Sequence, residues 1–236
     1  MKRNKPLGVL FDYGDTILQI NTPDWIPASG KLLEYAVNPT NLSAEALQAM
    51  ADHINHEFEP RRNESMIEQD VMTFYRLLFD TAGISLSIGF DEAARIGWQA
   101  AYQLTPEDGV REMLDTLNKH GIKTGIISNS AFPGTILMEE LGKHGLADSF
   151  SFAVVSADYG IRKPHPRIFE IAARKMGLEP KDIWFAGDKP QYDIIGAAGA
   201  GMFPVWYNTD GETYDHGCDC LEVKTWQEFV SIIESF

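Results

Sequence analysis

Cysteine is almost missing from this chain. Its 236 residues hold two, Cys218 and Cys220. They stand too close together for the usual zinc spacing, and no second pair exists. Nor can they frame a disulfide scaffold. Positive charge is also scarce: 20 Lys and Arg stand against 34 Asp and Glu, a net charge of -14. That argues against nucleic acid, whose phosphates need Lys and Arg, and against an anionic membrane surface. No apolar run approaches the length of a membrane span. The start, MKRNKPLGVLFDYGD, is basic and then apolar. Its apolar run is short, contains Pro6 and Gly8, and ends in acids without a small-residue cleavage site. These absences give the expectation of a reduced, cytoplasmic protein. There is no internal repeat and no low-complexity tract.

What is present is an ordinary globular composition, 44% apolar and 23% charged, on a chain long enough for a sizeable core. Residues 6–11 read as a short buried strand. Residues 20–104 hold no convincing strand. Ser43 caps a segment whose Leu47, Met50, Ile54 and Phe58 share one helical face. Ile67, Val71, Phe74 and Leu78 repeat that spacing, with a stop at Gly83. Residues 25–37 and 90–104 read as further helices. From Thr105 the pattern alternates. Thr105 and Pro106 read as the N-cap and first position of a helix reaching His120. Strands follow at 122–128, 152–156, 183–186 and 202–207. Helices lie between them, and one closes the chain at 226–233. Alternating strands and helices mean a parallel sheet covered on both faces. The expected fold is α/β, a Rossmann-like parallel sheet core with an inserted α-helical cap. The core is 1–18 and 105–236, and the cap is 19–104. A cleft between the two suits a small ligand.

Polar chemistry gathers at the strand exits. Asp12 ends the first apolar run, where a buried carboxylate is costly unless something needs it. Taken alone, it reads equally as a turn residue, since Asp-x-Gly is good turn chemistry. Ser128-Asn129 ends the second strand and reads alone as a turn. Lys163 lies in a loop, and Asp188 follows Gly187 where a helix N-cap would also fit. Together with Asp193, and in this order, the set is specific. In open α/β sheets ligands bind at the carboxyl ends of the strands.

The motifs LFDYGDTIL, IISNS, GIRKPHPRIFEIAARKMGL and FAGDKPQYDIIGAAGAGM carry a resemblance over nearly the whole chain. It resembles the haloacid dehalogenase superfamily of hydrolases, in the branch with a helical cap after the first motif. The resemblance implies a Mg²⁺-dependent phosphatase for a small phosphorylated metabolite. Asp12 would be the nucleophile and would form an aspartyl phosphate. Asp12, Asp188 and the carbonyl of Gly14 would hold Mg²⁺, which favours oxygen ligands. Lys163 would hold the phosphate and Asp12 as a point charge. Ser128 and the amide of Asn129 would donate to phosphate oxygens, and Asp193 would support the metal shell or Lys163. A cation is physically needed. At about 4 Å and an effective dielectric of about 20, each pair of like unit charges costs roughly 4 kcal/mol.

One position departs from the family. Its phosphatases usually carry a second Asp two residues after the nucleophile, where this chain has Gly14. Asp15, next door, either replaces that acid or adjusts the turn, and the second is favoured. Other chemistries remain open. One is the dehalogenase type. Another is the phosphonate-cleaving type, which needs a cap lysine such as Lys31. The last is a non-catalytic ligand binder. The glycines of GAAGAGM close a helix instead of opening one, so they are not a dinucleotide fingerprint. Arg61 and Arg62, after Pro60, read as an inter-helix loop, either solvated or reaching an anionic substrate tail. Trp25, Phe74, Tyr75 and Trp98 read as core before cleft.

Overall fold

The computed structural model describes residues 4–215 and 217–236, without the side chains of Arg61 and Asn63. The expectation for the Arg61 side chain therefore lies outside the described residues.

The elements run β1 (Gly8–Phe11), β2 (Leu18–Ile20), α1 (Trp25–Leu33), β3 (Ala36–Val37), α2 (Ala44–Ser65), α3 (Val71–Ala82), β4 (Ser85–Leu86), α4 (Phe90–Ala101) and β5 (Leu104–Pro106). They continue with α5 (Val110–Lys119), β6 (Lys123–Ser128), α6 (Gly134–Lys143), β7 (Ala153–Val155), α7 (Ser156–Tyr159), α8 (Pro166–Met176) and β8 (Ile183–Gly187). Last come α9 (Ile194–Gly199), β9 (Phe203–Tyr207), β10 (Leu221–Val223) and α10 (Trp226–Glu234).

Six strands form one sheet in the order β10-β9-β8-β1-β6-β7. Every pairing in it is parallel. β1 sits in the interior of the sheet with all four residues buried. Its side chains alternate between faces, as strand geometry requires. Val9 and Phe11 join a large core that includes Met113 of α5, Leu137 of α6 and Phe229 of α10. Leu10 faces the other way, into a core with Ile168 and Phe169 of α8. Near-continuous apolar strands are what a sheet covered on both faces demands.

The segment between β2 and β5 is helical apart from β3 and β4, a two-residue antiparallel pair too short for alternation to reveal. Its helix starts follow local chemistry. Ser43 Oγ accepts from the Ala46 amide, and Asp70 Oδ1 accepts from those of Met72 and Thr73. The segment sits over the carboxyl ends of the strands. Val71 donates its amide to Ala131 O at 2.8 Å, just beyond β6. Arg95 of α4 makes a two-pronged pair with Glu139 of α6. The Trp25 ring stacks on Phe132 at 6.1 Å.

Two expectations are corrected. Thr105 and Pro106 do not open a helix. They lie in β5, which pairs antiparallel with β2, placing Gln19 opposite Thr105 and Leu18 opposite Pro106. The helix begins at Val110. Pairing across the neck of the molecule outweighs the local cap signal, and Pro106 needs no N–H on a two-stranded ribbon. Pro60 does not end its helix either. α2 continues through it to Ser65, and Met66 then adopts φ 54°. Arg62 is therefore helical, not in a loop. An internal proline costs about 3 kcal/mol. The chain beyond it is held from outside, by Glu68 N to Gly160 O at 3.1 Å and Arg162 N to Met66 O at 3.0 Å.

Candidate active site

β1, β6 and β8 are neighbours and run the same way, so their carboxyl ends meet at one rim. Phe11 is in register with Ile126 on one side and Ala186 on the other. Asp12 thus emerges between the ends of its neighbours, and its amide still donates to Ala186 O at 2.8 Å.

Lys163 arrives from the loop before α8. Asn129, just past β6, holds that loop by its side chain. Asn129 Oδ1 accepts from Lys163 N at 2.7 Å, and Asn129 Nδ2 donates to Lys163 O at 3.0 Å. The Lys163 side chain is only 2% exposed. Its Nζ donates to Asp12 Oδ1 at 2.7 Å and Asp193 Oδ1 at 2.6 Å, over the Phe185 ring. Burial pulls the ammonium down, but Asp12 and Asp193 hold it above its ordinary value.

Asp193 is fully buried. Its second oxygen, Oδ2, accepts from the Lys189 amide at 2.9 Å. Gly187 makes room for it: a Cβ at Gly187 would fall 2.4 Å from Asp193 Cγ. Asp188 pairs with Lys189 Nζ at 2.7 Å, and its carbonyl accepts from Trp206 Nε1 at 3.2 Å. Burial, then the charges of Asp12 and Asp193, push the Asp188 carboxyl up to about 7. Burial also pushes Asp193 up, to about 6, with Asp12 adding to it and Lys163 opposing.

Asp12, Asp188 and Asp193 bring carboxylate oxygens within 4.8 Å of one another, the one such group of metal-ligating side chains among the described residues. Three carboxylates stand here against two ammonium groups, Lys163 and Lys189. Clustered hard oxygen donors in that state fit a divalent cation such as Mg²⁺.

A cavity of about 560 Å³ opens over this cluster. Asp12, Gly14, Ser128, Asn129, Lys163, Asp188 and Asp193 all line it. The helical segment supplies its far wall, including Trp25, Phe74, Tyr75 and Trp98, so these aromatics are cleft as well as core. A Cβ at Gly14 would lie 2.3 Å from Ile20 Cδ1, so an apolar side chain fills the space beside it. Asp15 has φ 53°, and its Oδ1 accepts from the Ile20 amide at 2.9 Å. Its carboxylate is folded into the turn. Lys31 does not line the cavity and pairs with Glu34 on the surface.

Several residues of the site were not legible. The Asn129 side chain serves the Lys163 backbone, whereas the family resemblance implies a role only for its amide. Arg162 lies inside the GIRKP run without having been singled out, and Glu68 gave no signal at all.

A model of the haloacid dehalogenase-like hydrolases matches residues 7–201. The chain is 34% identical over 105 residues to a phosphoserine phosphatase of Thermus thermophilus, a match covering 44% of this chain and 41% of that relative. Among solved structures it resembles a HAD phosphatase from Thermococcus onnurineus, at TM-score 0.64 and 23% identity over 96% of this chain and 97% of that one. It resembles equally a 2-haloacid dehalogenase from Pseudomonas syringae, at TM-score 0.64 and 24% identity over the same shares, 96% and 97%. One backbone thus serves two chemistries, and fold alone assigns neither. With the family match extending from just before β1 to just beyond α9, the chain belongs to the haloacid dehalogenase-like hydrolases.

Proposed function

We propose that this protein is a Mg²⁺-dependent phosphatase of a small phosphorylated metabolite, working through an aspartyl phosphate on Asp12. The observation that carries the reading is the Lys163 ammonium bonded at once to Asp12 and Asp193, beside Asp188 and facing the cavity. The name of the Thermus relative points the same way.

Lys163 fixes the Asp12 carboxylate through Oδ1 and offers positive charge to an incoming phosphate. Ser128 and the Asn129 amide, at the end of β6, donate to phosphate oxygens. An Asp12 oxygen attacks phosphorus, and the ester P–O bond breaks. The leaving oxygen takes its proton from a water, because position 14 offers no carboxyl. The hydroxide so formed attacks phosphorus, and the bond between Asp12 and phosphorus breaks, which releases inorganic phosphate and restores the Asp12 carboxylate. Asp12, Asp188 and the Gly14 carbonyl would hold Mg²⁺, whose charge offsets the repulsion between carboxylate and phosphate.

The test is hydrolysis of p-nitrophenyl phosphate across a Mg²⁺ titration. Turnover should require the metal and fall at least about a hundredfold in Asp12→Asn. Absence of turnover on any phosphate ester would sink the reading. It would favour a ligand-binding role instead.

A further inference from the structure

Arg62, near the end of α2, and Arg162, in the loop before α8, both line the cavity. They come from opposite sides of the neck and face one buried carboxylate, Glu68. Arg162 Nη1 stands 3.6 Å from Glu68 Oε2, and Arg62 Nη1 stands 4.0 Å from Glu68 Oε1. Both distances exceed those of a charge-assisted hydrogen bond. Glu68 Oε2 instead accepts from Ser156 Oγ at 2.8 Å, while Oε1 has no hydrogen-bond partner among the described residues. Arg62 Nε and Arg162 Nη1 are also buried without an acceptor among the described residues. Buried donors of charged groups are rarely left so.

The other acids of the cavity are engaged. Asp15 accepts from Ile20 N, and Asp52 from Gln48 Nε2. Two guanidinium groups face one buried carboxylate here, and a further acid whose charge reaches Arg162, Glu59, is exposed. Burial depresses the Arg162 guanidinium, with Glu68 opposing. An anion from outside would compensate that burial.

We infer that Arg62 and Arg162 form a second anion site in this cavity, taking a carboxylate or a second phosphate carried by the substrate. The inference rests on the phosphatase reading for the word substrate, but not for the site itself. Arg62, Arg162 and Lys163 line one cavity of about 560 Å³, so a single small molecule can present one anionic group to Lys163 and another to the arginine pair. Planar guanidinium forks suit both carboxylate and phosphate. The substrate class is a short phosphomonoester with an anionic tail.

The test uses three matched compounds: ethyl phosphate, 2-phosphoglycolate and ethylene glycol bisphosphate. Their kcat/KM values are measured on the full chain with Mg²⁺. Their binding to the Asp12→Asn variant is measured by calorimetry. At least one anionic-tail compound should be favoured over ethyl phosphate by about tenfold or more, the size of one charge-assisted hydrogen bond. The carboxylate and phosphate arms identify which anion the site takes. Arg62→Gln and Arg162→Gln should each collapse that ratio towards unity. Glu68→Gln keeps an acceptor for Ser156 and removes the opposing charge, so it should raise the ratio. A ratio below about twofold in both turnover and binding would overturn the inference. So would a ratio that both arginine variants leave unchanged, the result expected if the arginines only tie the helical segment down or only touch the transferred phosphate. If an arginine variant fails to fold, the wild-type ratio and Glu68→Gln still decide. Turnover without the ratio defeats this site and leaves the phosphatase reading standing. The ratio in binding without any turnover does the reverse.

Discussion

Ile20 Cδ1 occupies the space beside Gly14, where an added Cβ would meet it at 2.3 Å. The position where the family's phosphatases usually place a general acid is thus empty of a carboxyl and partly closed to one. General acid–base help contributes about 10²–10⁴-fold. Gly14→Asp alone should recover about tenfold or less, because Ile20 must move. Gly14→Asp with Ile20→Ala should recover about a hundredfold, and more for phenyl phosphate than for p-nitrophenyl phosphate, whose leaving group needs no proton. The measurement is kcat on both esters. Equal gains from the single and double variants would show that Ile20 is no obstacle.

Asp15 is the nearest carboxyl, but its Oδ1 is spent on the Ile20 amide and its backbone is left-handed at φ 53°. Asn tolerates that conformation and can offer the same acceptor. Asp15→Asn should therefore keep kcat within about threefold. Asp15→Ala should lower stability by about 1 kcal/mol, through strain and the lost bond. A thousandfold loss of kcat in Asp15→Asn would assign the acid role to Asp15.

Asn129 bonds both the amide and the carbonyl of Lys163. Asn129→Ala leaves two backbone groups unpaired, at about 1–3 kcal/mol each. It also frees the loop that aims Nζ at Asp12. The expected result is a fall in thermal midpoint together with a fall in kcat of tenfold or more. A normal midpoint and normal kcat would mean that the loop holds itself.

The gathering of these residues at one rim was legible because each strand exit is written locally. A short apolar run stops at Asp12, at Ser128-Asn129 and at Gly187-Asp188, and parallel order brings those stops to one edge. Lys163 and Asp12 are 151 positions apart, and only the family motif joins them in the sequence. What stayed hidden was set by partners far along the chain. Thr105 and Pro106 carry a sound helix start, yet pairing with Leu18 and Gln19 takes them into a strand. Pro60 is a sound helix stop, yet the turn beyond it is pinned by Gly160 and Arg162. Glu68, an unremarkable acid between two helices, is buried where Ser156, Gly160 and Arg162 meet it from far along the chain.

Metal binding should couple to pH through the carboxylates at the rim. Without metal, Asp188 and Asp193 are raised to about 7 and about 6 from an ordinary 3.8, burial being the first cause. A carboxyl raised by folding favours the folded state while protonated. That advantage is present below pH 3.8 and is lost as pH climbs through about 6 and about 7. For this pair, then, the metal-free protein weakens over that interval. Mg²⁺ would bind Asp188 in its ionised form, so its stabilising effect should grow over the same interval. Thermal midpoints measured with EDTA and with excess Mg²⁺, from pH 5 to pH 8, should diverge as pH rises. Asp188→Asn, which removes one of these carboxylates, should abolish most of the divergence. A midpoint difference independent of pH, or one that survives Asp188→Asn in full, would place any bound cation elsewhere.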